Sequence, residues 1–158
     1  MSKQCGECSK CCDGWLHANI RGNVLSPGNK CIFLTNDPNG SCSIHKDRPI
    51  KPCQIFSCIW LITDMPEHLK PSLSGVIAMN NKIDGVPYVF LVNAPNYPTD
   101  EIINWFKEKE KYSNLLYFDT DDNIVYIGET KFIEVIELHK DDIIKQHLDL
   151  AKHYIKQI

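Results

Sequence analysis

Cysteine is missing from the last hundred residues of this 158-residue chain, so no thiolate centre or disulfide can belong to that part alone. Long apolar runs are missing throughout. Nothing approaches the roughly 18 consecutive apolar residues that a membrane helix needs. The opening Met1-Ser2-Lys3-Gln4-Cys5-Gly6 is polar, and Ile32-Phe33-Leu34 is far too short for the apolar stretch of a secretory signal, which predicts a cytoplasmic protein. No phosphate-cradling Gly-Lys loop, no nucleophile elbow and no paired-Gly dinucleotide fingerprint occurs, so chemistry, if any, is expected at a metal centre. A basic cluster is also lacking. Lys and Arg are scattered, and no nucleic-acid partner is expected. Internal repeats and low-complexity tracts are absent as well.

What is present is uneven. With 43% hydrophobic and 23% charged residues the chain can bury a core, as one ordinary domain or two very small ones. All 8 Cys lie within residues 1–58. That stretch carries 7 Lys+Arg against 4 Asp+Glu, whereas residues 59–158 carry 10 against 16, so the overall charge of −3 divides into +3 and −6. A modest positive excess suits thiolates, which bring negative charge to a metal. Thiols persist in a reducing cytoplasm; the even count would fit a disulfide framework only in an oxidising compartment.

Residues 1–62 read as a cysteine-rich segment and 63–158 as an α+β scaffold, together one compact unit. Turn formers are dense in the first part: Asp13-Gly14, Arg21-Gly22-Asn23, Ser26-Pro27-Gly28-Asn29 and Asn36-Asp37-Pro38-Asn39-Gly40. Apolar residues are too sparse there to hold so much irregular backbone, and metal cross-links would supply the constraint. Short strands are expected at Trp15-Ile20 and Cys31-Leu34, with a helical turn from Arg48-Pro49. The scaffold predicts a small mixed or antiparallel sheet with two helices. Val76-Met79 and Tyr88-Val92 form a hairpin through residues 80–85. Thr99 caps a helix that runs to about Tyr112. Leu115-Phe118 and Ile124-Ile127 form a second hairpin around Asp119-Thr120-Asp121-Asp122-Asn123, a solvated turn lacking the Gly and distant Glu of an EF-hand. Lys131-Leu138 reads as a strand. A last helix spans Lys140 to Ile158, with Ile143, Ile144, Leu148, Ala151 and Ile155 on one face. His147 and His153 on that helix are six residues apart, about 240° around it, which excludes a metal pair.

The chemistry-bearing pattern is Cys5-Gly6-Glu7-Cys8-Ser9-Lys10-Cys11-Cys12, two C-x2-C steps sharing Cys8, followed by Cys31, Cys42, Cys53 and Cys58. A C-x2-C turn aims two thiolates at one centre. Adjacent Cys11 and Cys12 point apart, so they serve different centres, or one of them is a ligand and the other buried. Two closed tetrathiolate zinc sites would use all eight thiols. Alternatively, Cys5, Cys8 and Cys11 hold three irons of a 4Fe-4S cube with a remote fourth ligand, and that spacing fits three cube corners better than one tetrahedral ion. His17 and His45 are candidate extra ligands. Arg48 is a candidate for the surroundings of the centre, donating to a sulfur or pairing with Asp47 or Asp13 to order the loop.

The order C-x2-C-x2-C-C, Cys31-Ile32-Phe33-Leu34, then Cys42-Ser43-Ile44-His45-Lys46-Asp47-Arg48-Pro49 before Cys53, resembles the YkgJ-type cysteine-cluster family of zinc- or iron-chelating domains. The likeness covers about residues 5–62. It implies metal chelation by the cysteine set, while a structural or a redox-sensing role is what the thiolate chemistry itself suggests. His45 stands where that family commonly has Tyr. Relatives linked to flagellin lysine methylation imply an enzyme, or enzyme subunit, acting on protein side chains as the alternative. A partner-binding module with two structural zinc sites is another, and would show an apolar patch on the acidic part of the chain.

Overall fold

A computed structural model describes residues 3 and 11 and the stretches 18–25, 29–35, 42–93 and 96–155. The fold is α+β, built on a four-stranded sheet of order β3 (Val76–Ile83), β4 (Val86–Asn93), β5 (Leu115–Phe118) and β6 (Ile124–Ile127). Strands β3 (Val76–Ile83) and β4 (Val86–Asn93) pair antiparallel from Val76 opposite Asn93 to Ile83 opposite Val86. The hairpin is tighter than its composition suggests, because Asn80 to Ile83 continue the strand and Asp84-Gly85 alone turns it. Their φ values of 48° and 79° are both left-handed. That is the backbone of a type I′ turn, which Asp-Gly favours.

Thr99 accepts a hydrogen bond from the Ile102 amide and opens α3 (Asp100–Lys107). The helix stops earlier than expected, at Lys107, and a separate 3-10 turn follows over Glu110–Tyr112. This crossover returns the chain parallel to β4 as β5 (Leu115–Phe118), with Val89 opposite Leu115. Strand β6 (Ile124–Ile127) then pairs antiparallel with β5. The expected strand at Lys131-Leu138 is instead the first part of one helix, α4 (Thr130–Ile155). Phe132 and Ile136, a helical turn apart, are both fully buried against Leu116 and Phe118. Tertiary burial of that i, i+4 pair overrides the β-branched composition.

Strand alternation gives the sheet two covered faces. Val76, Ala78, Val89, Leu91 and Leu115 pack on α1 (Ile59–Ile62) and α3, through Ile59, Trp60, Ile102 and Phe106. The opposite face, with Tyr88, Phe90, Leu116 and Phe118, carries α4, and Phe56 covers Ile77 and Val92 at its far end. A one-turn helix, α2 (Pro71–Ser74), leads into β3. Gly128 joins β6 to α4 at φ 157°, where an added Cβ would lie 2.2 Å from Asn114 Oδ1. That buried Asn114 accepts from the Glu129 amide and donates to the Pro87 carbonyl, tying the start of α4 to the sheet.

Among the described residues, the cysteine segment has little regular structure. A ribbon of β1 (Ala18–Ile20) and β2 (Asn23–Leu25) covers the described end of the Trp15-Ile20 expectation. Cys31-Leu34 is a turn rather than a strand, closed by Leu34 N–H to Cys31 O at 3.1 Å and joined to Cys42 by one antiparallel bridge at Leu34. A 3-10 turn over His45–Asp47 and a wide turn over Ile50–Gln54, with a cis Lys51-Pro52 bond, lead to α1. Among the described residues, no helix is long and apolar enough to cross a membrane.

Candidate metal centre

Cys31 is buried with Ile20 and Leu25, and Cys53 packs against the same cluster from the wide turn. The Leu34–Cys42 bridge sets Cys42 beside the Cys31 turn, and the Cys42 carbonyl accepts from the His45 amide at 3.3 Å. These contacts gather Cys31, Cys42 and Cys53 into one region. Cys58 is placed elsewhere. It precedes α1 and touches the clusters on both faces of the sheet, at the seam between the cysteine segment and the scaffold. Cys11 is half-buried. Cys5, Cys8, Cys12 and His17 lie outside the described residues. Among the described residues, no three of His, Cys, Asp and Glu converge closely enough to hold a metal ion.

His45 and Arg48 meet each other. Arg48 Nη1 lies against His45 Nε2. Guanidinium can only donate, so Nε2 must be the acceptor and the imidazole proton sits on Nδ1. Arg48 pairs with this histidine rather than with Asp47, whose carbonyl accepts from Arg21 Nη2; Asp13 is outside the described residues. Arg48 Nε is buried and has no hydrogen-bond partner among the described residues.

Sequence reasoning passed over Lys3. Its ammonium donates to the Trp60 carbonyl at 2.9 Å and to the Met65 carbonyl, and lies 4.6 Å from the centroid of the Trp60 ring. Burial lowers its pKa, while Glu67, Asp64 and Cys58 pull it back up. Lys70, 5% exposed, lies 5.1 Å from the centroid of the same ring. Lys3 therefore anchors the chain two residues before Cys5, near Cys58.

A second polar constellation lies far along the chain. Asp119 Oδ1 accepts from the amides of Asp121 and Asn123, as expected of a hairpin turn. Asp122, at φ 60°, is more than solvated. Its Oδ1 accepts from Tyr97 OH at 2.5 Å and lies 2.8 Å from His147 Nε2. His147, 8% exposed, stacks on Phe118 with ring centroids 3.7 Å apart. The Tyr97 bond, then the His147 bond, hold the Asp122 carboxyl below its usual range, and the same hydrogen bond pushes Tyr97 up to about 12. Three side chains so distant in sequence leave no local signal.

Comparison with family models, with curated proteins and with solved structures gave no match.

Proposed function

We propose that this chain is a cytoplasmic metal-binding protein whose N-terminal cysteines chelate a 4Fe-4S cluster or zinc, in a structural or redox-sensing role, as a member of the YkgJ-type cysteine-cluster family. One observation carries the reading. Eight thiols occupy a segment whose own described core is three buried residues, Ile20, Leu25 and Cys31. So small an apolar cluster offsets little of the entropy of ordering its irregular backbone, whereas structural zinc contributes on the order of 10 kcal/mol or more. Soft thiolates select iron–sulfur clusters and zinc alike.

The placement of the five described cysteines supports division into groups. Cys31, Cys42 and Cys53 share one region with Arg48, while Cys58 sits at the seam beside the Lys3 anchor. The eight thiols then serve two centres, or one centre with spare thiols, with Cys5, Cys8 and Cys11 as the first group. The shared C-x2-C-x2-C spacing favours the cluster over zinc for the first group.

Anaerobic purification followed by iron, acid-labile sulfide and zinc analysis tests this reading. A brown protein with iron and sulfide in equal amounts supports the cluster. A colourless protein with stoichiometric zinc supports the tetrathiolate form. A protein that retains neither metal, and takes up neither on reconstitution, refutes the proposal.

A further inference from the structure

We infer that the end of α1 carries a binding site for a primary alkylammonium, which the chain's own Lys3 fills, so that Lys3 is a displaceable latch on the scaffold. The site goes beyond the metal-binding reading and does not rest on it.

The cradle is built by residues that Lys3 does not hold. Helix α1 ends at Ile62, one turn after it starts, and a helix end leaves its last carbonyls without intrahelical partners. Thr63 Oγ1 donates to the Ile59 carbonyl at 2.7 Å, which leaves the Trp60 carbonyl to be served from outside the helix. Lys3 Nζ donates to it at 2.9 Å, from 57 residues away, and also to the Met65 carbonyl. Met65 is buried, and its amide donates to Thr63 Oγ1 at 3.4 Å, so the turn that presents this second carbonyl is fixed locally. The wall is the Trp60 ring, 4.6 Å from Nζ at its centroid. Its own Nε1 donates to the Pro66 carbonyl at 3.1 Å, which sets the ring without help from Lys3.

The groups around Nζ are acceptors. Two carbonyls offer lone pairs, and the indole face is the negative side of an aromatic quadrupole. Glu67 and Asp64 favour the charged form of the lysine against the burial that opposes it. Lys70, whose ammonium lies 5.1 Å from the centroid of the same ring and 3.9 Å from Glu67 Oε1, shows this indole taking a second ammonium. A compact charge with three N–H donors answers such an arrangement, whereas guanidinium is planar and wider, and a quaternary ammonium has no N–H for the carbonyls. Among the described residues the Lys3 backbone makes no hydrogen bond, so the ammonium is what ties this residue down. A group with the same chemistry can therefore take its place.

The probe is n-butylammonium chloride, which reproduces the end of a lysine side chain, and the readout is the Trp60 indole N–H resonance of the nitrogen-labelled full-length protein. In Lys3→Ala the probe is expected to shift that resonance saturably and to raise the melting temperature of the variant toward wild type. Wild-type protein is expected to need about tenfold more probe for the same shift, because a tethered group competes at its effective concentration. Tetramethylammonium chloride at equal concentration matches the charge and ionic strength without any N–H, and is expected to leave the resonance in place. No saturable shift in Lys3→Ala overturns the inference. An equal response of wild type and Lys3→Ala does so as well, since the probe would then bind where Lys3 does not, and so does an equal response to tetramethylammonium. Lys3→Ser carries the same expectations should Lys3→Ala fold poorly.

Discussion

Asp122 shows how one residue can take on several roles through its backbone conformation. At φ 60° it ends the β5–β6 turn with its carboxylate facing inward, where it receives Tyr97 and His147. Because its folded pKa is lowered, it stabilises the fold above the unfolded carboxyl value near 3.8, and that stability is lost as pH falls below it. Tyr97 works at the other end of the scale. Its folded pKa of about 12 gives a contribution fully present below 10 and lost between 10 and 12. Asp122→Asn is therefore expected to lower the melting temperature by a few degrees at pH 7 and to flatten its decline in acid. The same variant should bring the Tyr97 ionisation back toward 10, read by ultraviolet absorbance during an alkaline titration. An unchanged tyrosine titration would refute the assigned hydrogen bond. None of this is visible in the sequence, where Asp119-Thr120-Asp121-Asp122-Asn123 reads as a polar turn and His147 as an ordinary helix residue. The side chains meet only after residues 97, 122 and 147 have been brought together by the sheet.

At the scale of elements, the turns were more legible than the helices. Asp84-Gly85 announces its hairpin because few residue pairs accept two left-handed φ values in succession. Thr99 likewise announces the start of α3 through its side-chain oxygen. Lys131-Leu138 misleads because Ile133, Val135 and Ile136 are β-branched, and the helix is decided by what Phe132 and Ile136 meet on the sheet. Phe132→Ala is expected to cost about 3–5 kcal/mol in urea unfolding, the range for deleting a buried aromatic ring. Leu138→Ala on the same helix serves as the contrast. At 76% exposure it should change stability by no more than about 0.5 kcal/mol in either direction. Comparable losses in the two variants would contradict the assigned face of α4. Among the described residues, exposed large apolar side chains occur in both parts: Val24, Ile32, Ile50, Ile55 and Ile62 in the cysteine segment, and Leu73, Ile127, Leu138 and Leu148 beyond it.

Across the whole molecule, two kinds of cohesion adjoin at one seam. The scaffold is held by apolar contacts on both faces of its sheet, whereas the described residues of the cysteine segment share one small apolar cluster of their own. Removal of metal by a strong chelator under reducing conditions is expected to open residues 18–62 to limited proteolysis while residues 63–155 stay protected. Mass spectrometry of the fragments checks this, and simultaneous digestion of both parts would show that the scaffold depends on the metal. The seam was not legible in the sequence, since it depends on Phe56 against Ile77 and Val92 and on Lys3 against Trp60 and Met65. That seam bears on how the protein is made. Phe56 leaves the ribosome some twenty residues ahead of Ile77, at a synthesis rate of about 5–20 residues per second, so the cysteine segment is exposed for seconds before its supporting sheet exists. During that interval the thiols have no folded platform to shield them, and the supply of reductant at the moment of translation decides whether they stay reduced or oxidise.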